Sequence, residues 1–264
     1  RQFLKTFTRI LCLLLCVLLL TGCGINHRKV YDDSVEAFAD GDYALAAEGF
    51  EKLGDYSNAA TYAAYSRGLV LFDQGQYIAA EPYFAKVRNF MYGETRYQYC
   101  HGCLLESQGS HQEAAEVFLA LGDYENATAL YHYNNGRWAE SNSDFETALY
   151  DYEQAGDYSD APQRLDALRT QVYDHAVLLK TEGYYQQALH LFGMLGAYYD
   201  SAEQARICKQ HFRDARYAEA EILYNNGDLQ GAYDIFISLT GFSDATTRAE
   251  EIGQQLGIEL PSVE

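Results

Sequence analysis

The chain has 264 residues, 48% of them hydrophobic, and 38 acidic against 19 basic side chains give a formal net charge of −19 at pH 7. Nucleic acid is not expected as a partner, because phosphate binding needs a basic footprint. An anionic membrane surface or an acidic polymer would likewise repel the body of the chain.

In chain order, the first element is a secretory leader. Arg1, Lys5 and Arg9 precede an apolar run from Ile10 to Leu20 and a small-residue site. The run is too short to cross hydrocarbon, which takes roughly 20 residues. It ends in Leu20-Thr21-Gly22-Cys23, which resembles the bacterial lipobox. The resemblance implies cleavage after residue 22 and diacylglyceryl transfer to the sulfur of Cys23. The expected address is the bacterial cell membrane, lipid-anchored and facing outside the cytoplasm, or the outer membrane where the cell has two. Residues 23–28 then form a linker reaching at most about 20 Å, which keeps the next domain close to the bilayer. Without the leader the formal charge becomes −22, since those residues carry three positive charges and no negative one. Because the sequence opens on Arg1 rather than Met, at least one residue is expected upstream.

The body, residues 29–252, is a sixfold repeat. LGDYSNA at 53–59 returns as LGDYENA at 121–127 and AGDYSDA at 155–161, and in altered form at 87–93, 195–201 and 239–245. Counting from Gly41, Gly75, Gly109, Ser143, Gly183 and Gly227, an Ala stands five residues on in every copy: Ala46, Ala80, Ala114, Ala148, Ala188 and Ala232. Nine residues on stand Phe50, Phe84, Phe118, Tyr152, Phe192 and Phe236; fifteen on stand Tyr56, Phe90, Tyr124, Tyr158, Tyr198 and Phe242. Ten residues before each start is a tyrosine: Tyr31, Tyr65, Tyr99, Tyr133, Tyr173 or Tyr217. Seven before is a small residue: Ser34, Gly68, Gly102, Gly136, Ala176 or Ala220. These offsets predict two helices per copy. The first carries the Tyr and the small residue, the Gly opens a turn, and the second carries Ala and Phe on one face. LGDYSNA becomes the joint between hairpins. Gly54 stops a helix in a left-handed conformation, Tyr56 folds back as an apolar plug, and Asn58, Asn126, Asp160, Asp200 and Asp244 cap the next helix.

The starts are 34, 34, 34, 40 and 44 residues apart. A 34-residue helix-turn-helix with small, Tyr, Gly, Ala and aromatic positions in this order resembles the tetratricopeptide repeat. The usual helix-ending Pro and the early Trp and Leu of that family are missing. The resemblance implies an all-α fold: one right-handed α-solenoid of six hairpins, closed by a capping helix to about Ile252, with residues 253–264 as a tail. The two inserts, near Pro162 to Val172 and Glu203 to Arg216, lack Gly. Their helices are expected to start earlier and project by roughly 9 and 15 Å.

Chemistry is sparse. Cys100 and Cys103 are spaced like a redox pair, yet by repeat alignment both fall mid-helix rather than at an N-terminus, where a thiolate is stabilised. Packing is their expected role. No zinc-ligand spacing, phosphate loop or nucleophile elbow is present, so no enzyme, cofactor or metal is expected. Arg206, Lys209, Arg213 and Arg216 follow at intervals of three, four and three on one helix face. They either neutralise acidic neighbours or form a docking edge for an acidic partner. The six tyrosines from Tyr31 to Tyr217 either pack or line a concave groove for a glycan or small ligand. Lipoproteins that resemble this one imply a scaffold or adaptor for an envelope or secreted protein.

Overall fold

The computed structural model describes residues 26–258. The leader, Cys23 and residues 259–264 lie outside the described residues. Among those described there are thirteen α-helices, no strand, and no helix long and apolar enough to cross a membrane. They are α1 (His27–Ala39), α2 (Tyr43–Leu53), α3 (Ala59–Asp73), α4 (Tyr77–Ala85), α5 (Gly93–Ser107), α6 (His111–Leu121), α7 (Ala127–Ser141), α8 (Phe145–Ala155), α9 (Ala161–Thr181), α10 (Tyr185–Leu195), α11 (Ser201–Asn225), α12 (Leu229–Ser238) and α13 (Ala245–Leu256). Helix packs on its chain neighbour. The expected six hairpins and closing helix are present as secondary structure. The body starts at His27, because Asn26 accepts the Lys29 N–H at 3.1 Å and caps α1. It runs on to Leu256, where Gly257 ends α13 in the left-handed region. Two compact units divide these residues, one ending at Asn135 and the other beginning at Gly136, inside α7.

The repeated positions are the interior of both units. The repeated Ala of each second helix and the aromatic four residues after it are fully buried. Tyr31, Tyr65, Tyr99, Tyr173 and Tyr217 each set an edge against the Phe of their own hairpin, at centroid distances of 5.3–5.9 Å. The small residue of the first helix makes room for that same Phe. A Cβ on Gly68 would stand 2.9 Å from the Phe84 ring, and one on Gly102 2.7 Å from Phe118. The close approach therefore lies within each hairpin, not against the next one. A ring pair in edge contact gains about 0.5–1.5 kcal/mol beyond its buried area.

The turn inside each hairpin follows the expectation: Gly41, Gly75, Gly109, Gly183 and Gly227 have φ of 71–86°, and Ser143 has 60°. The joints differ from it in two ways. Gly54 has φ 54° and ψ −120°, as do Gly122, Gly156 and Gly196 closely. This is not the left-handed cap but the mirror image of the first central residue of a type II turn, a place that glycine fills. The turn closes from the Tyr56 N–H to the Leu53 carbonyl at 3.1 Å. A second turn follows at once. The residue after the joint aromatic has φ of 47–53° in all six copies, although it is Ser57, Met91, Glu125, Ser159, Tyr199 or Ser243 and never Gly. Its turn closes from the small residue at the start of the next helix to the carbonyl of the joint aromatic, at 2.8–3.1 Å.

The expected caps also act differently. Asn58, Asp160, Asp200 and Asp244 sit at the N-cap position, yet none accepts a backbone N–H of its helix. Four side chains of this row instead take a tyrosine hydroxyl from 27 residues upstream: Tyr31 donates to Asn58, Tyr99 to Asn126, Tyr173 to Asp200 at 2.6 Å, and Tyr217 to Asp244. Where Tyr92 replaces the Asn, the polarity reverses, and the Tyr65 oxygen accepts from Arg96 Nη1 at 2.8 Å.

The two lengthened helices, α9 and α11, have 21 and 25 residues. Both begin directly after the joint, as the shorter ones do. The added length of α9 is not a free projection, because Leu168 and Val172 are each only 2% exposed. In α11 Cys208 joins the core of α9 and α10, while Ala220 joins a separate core with α12 and α13. The stretch 209–216 between them contributes no buried residue.

Candidate interaction surface

The basic stripe lies on this bare stretch of α11 and just before it. Arg206 is exposed and pairs at 2.8 Å with Glu203 of its own helix, which holds the Glu203 carboxyl below its usual range. Arg216 pairs with Glu219, also on its own helix. Arg213 sits 5.8 Å over the Phe242 ring. Lys209 is exposed and has no ion pair among the described residues. The helix thus keeps the four together in one stripe, but two are already matched by carboxylates one turn away. Exposed pairs of that kind contribute about 0–1 kcal/mol each. A cleft of about 300 Å³ flanks the stretch where Phe212 and Arg216 face the α9–α10 turn at Tyr184. A second, of about 390 Å³, lies where Gln210 and Asp214 face the α12–α13 joint at Phe242.

The tyrosine row is set into the fold. Tyr65 and Tyr99 are each 2% exposed and Tyr133 is 4%, while Tyr31, Tyr173 and Tyr217 are half-buried. The rings of Tyr31, Tyr65, Tyr99, Tyr173 and Tyr217 meet the Phe and the joint aromatic of the same copy, as Tyr65 does with Phe84 and Phe90 at 5.8 and 5.3 Å. The hydroxyl contacts, invisible to periodicity within one helix, had a signal in the constant 27-residue offset from Tyr to Asn or Asp.

Cys100 is fully buried in the middle of α5, and burial pushes both its thiol and that of Cys103 up to about 12. A redox pair needs the opposite shift. Burial also raises the Cys208 thiol, and all three are unbridged. No group of His, Cys, Asp and Glu among the described residues is arranged to hold a metal ion.

Sequence reasoning missed a further cleft in the second unit, of about 610 Å³, because its walls come from three separate segments. Glu146, Tyr150 and Glu153 line it from α8, Arg169 from the lengthened part of α9, and Met194 to Tyr198 from the end of α10 and its joint. Arg169 stands 3.4 Å from Glu153, and Thr170 beside it shares a hydrogen bond of 2.8 Å with the Tyr198 hydroxyl. No protein-family model matches the chain, and no curated protein matches it. Its class is therefore stated from the fold of the described residues: all-helical, with thirteen helices packed in sequence, the arrangement expected of a helical repeat array.

Proposed function

We propose that this protein is a lipid-anchored, extracytoplasmic scaffold of the bacterial cell envelope, in which a tetratricopeptide-like solenoid holds another protein near the membrane. Binding without catalysis is the whole of the reading. The observation that carries it is the middle of α11: eight residues, none buried, bearing Lys209, Arg213 and Arg216 between two clefts in a strongly acidic chain. A helix that serves only to join two cores has no need of an open basic face. Repetition supports the reading as well, since stacked hairpins give an extended surface whose side chains differ from copy to copy while the interior stays constant. The envelope address rests on the leader and Cys23. Glycan capture by the tyrosine row draws no support from Tyr65, Tyr99 and Tyr133, which are 2–4% exposed, or from the hydroxyls of Tyr31, Tyr65, Tyr99, Tyr173 and Tyr217, which are engaged at the joints.

Affinity capture from a cell-envelope extract tests the scaffold, using the chain from Gly24 onward beside the Lys209→Glu/Arg213→Glu variant. The expected result is one protein held by the first, released by added salt and missing from the second. Retention of the same protein by both would remove α11 as the docking edge, and retention by neither would remove the scaffold reading. Partition of the full chain into a detergent phase, lost in Cys23→Ala, tests the anchor.

A further inference from the structure

Six copies of one hairpin provide an internal comparison, in which a residue that departs from its counterparts answers to something local. The position after the hairpin turn holds Asp42, Gln76, Ser110, Asp144, Tyr184 and Asp228. The three aspartates cap the helix that follows, accepting the N–H of Leu45, Thr147 and Gly231 at 2.9–3.2 Å. Tyr184 caps nothing. The fifth copy thus gives that place to a ring that is 56% exposed. Its side chain has no hydrogen bond, ring contact or cation contact among the described residues. One exposed ring is ordinary on a protein surface, but the surroundings of this one are not.

Tyr184 lies on a cleft of about 300 Å³ whose opposite wall holds Phe212 and Ala215 of α11. Both belong to the lengthened part of that helix, between the core that Cys208 joins and the core that Ala220 joins. The sixth hairpin builds its core farther along α11, and the end of the fifth is less covered than in the second and third copies. Leu178, in the last turn of α9, is 53% exposed, whereas Val70 and Leu104 in the same place are half-buried.

The rim narrows the choice of occupant. Arg216 and Glu219 pair with each other there and offer no net charge. Tyr185 is stacked on His211 at 4.9 Å, so its ring is engaged as well. What stays open is the apolar surface of Tyr184, Phe212 and Ala215. Three residues before Phe212, on the same side of α11, stands the exposed Lys209, which has no ion pair among the described residues. A cleft at the lower end of the range of ligand sites, roughly 300–1,000 Å³, takes one or two side chains rather than a whole helix. An apolar side chain suits its walls, a neighbouring carboxylate suits Lys209, and a neighbouring cation would be repelled.

We propose that this cleft is where α11 reads its partner, taking a short acidic segment that seats a Leu or Phe side chain between Tyr184 and Phe212 with a flanking carboxylate on Lys209. The proposal rests on the scaffold reading and adds the chemistry that the docking edge recognises. The test is fluorescence anisotropy on the full chain with three labelled hexapeptides, EELFEE, EESSEE and QQLFQQ. Saturable binding of EELFEE is expected, weakened by added salt and about tenfold tighter than that of either control. Tyr184→Asn should weaken it by about tenfold. The same change should raise the denaturation midpoint, since Asn supplies the missing cap, so that lost binding cannot come from a lost fold. Lys209→Gln should weaken EELFEE and leave QQLFQQ unchanged. No saturable binding of EELFEE overturns the proposal, as does equal binding of either control, or of EELFEE by either variant. The scaffold reading is decided separately. An envelope protein held by the wild type and by Tyr184→Asn alike, but lost in Lys209→Glu/Arg213→Glu, would keep α11 as the docking edge and overturn the cleft.

Discussion

Ser57, Ser159 and Ser243 hold a backbone conformation that costs an L-residue about 1–2 kcal/mol, each at the second turn of a joint. Glycine would relieve that cost and bring back about 0.5–1 kcal/mol of chain entropy. Each Ser→Gly change should therefore raise stability by roughly 0.5–1 kcal/mol, read as a higher denaturation midpoint at constant m-value. A lowered midpoint would mean that the side chain itself holds the joint. The sequence shows why this feature is silent. Six-of-six positions such as Ala46 and Phe50 announce themselves because one residue type fits one buried place. The positive-φ position accepts Ser, Met, Glu and Tyr, and nothing in those letters marks a turn.

Between elements, the Tyr-to-cap bonds tie each first helix to the start of the next. Tyr217 is pushed up to about 12, first by its bond to Asp244 and then by burial; Tyr173 is raised and Asp200 lowered by the bond they share. A tyrosine whose folded form keeps its proton beyond the ordinary value, about 10, stabilises fully below that pH. The contribution is lost as pH rises through about 12. For Asp200 the sense is opposite: its contribution is full above the ordinary carboxylate range and disappears as pH falls below it. Stability should thus decline on both sides, and Tyr217→Phe should flatten the alkaline limb of a melting-temperature profile. An unchanged limb would show that the hydroxyl bond is not carrying it. Helix existence, hairpin order and buried faces were legible because they repeat at fixed offsets. Neither the 27-residue bonds nor the three-walled cleft could be seen so directly, since each needs residues from different helices to be placed together. In the sequence alone the lengthening of α9 reads as a projection for the same reason. Nothing within that helix shows that Leu168 and Val172 find neighbours.

For the whole molecule, charge is the dominant long-range term. With 38 acidic side chains against 19 basic ones, folding gathers like charges into a smaller volume. Moderate salt should stabilise the protein, because the Debye length falls to about 10 Å at 0.1 M. A denaturation midpoint that rises with sodium chloride is expected; one that falls would show that pairs such as Arg67–Glu51, 2.7 Å apart, outweigh the general repulsion. The same field makes a basic edge on α11 conspicuous to an acidic partner only at short range, where Lys209 and Arg213 dominate.

The joint has one more consequence, for how such a chain can change length. Excision of residues 75–108 would set Gly109 in the place of Gly75 and bring Tyr65 opposite Asn126, the pairing that Tyr99 now makes. Tyr65, whose oxygen now accepts from Arg96, would donate to Asn126 as Tyr99 does. Loss or gain of a whole 34-residue copy therefore leaves every donor at the seam with an acceptor, whereas loss of half a copy strands a tyrosine. Duplication in whole copies is the growth step that this bonding scheme permits.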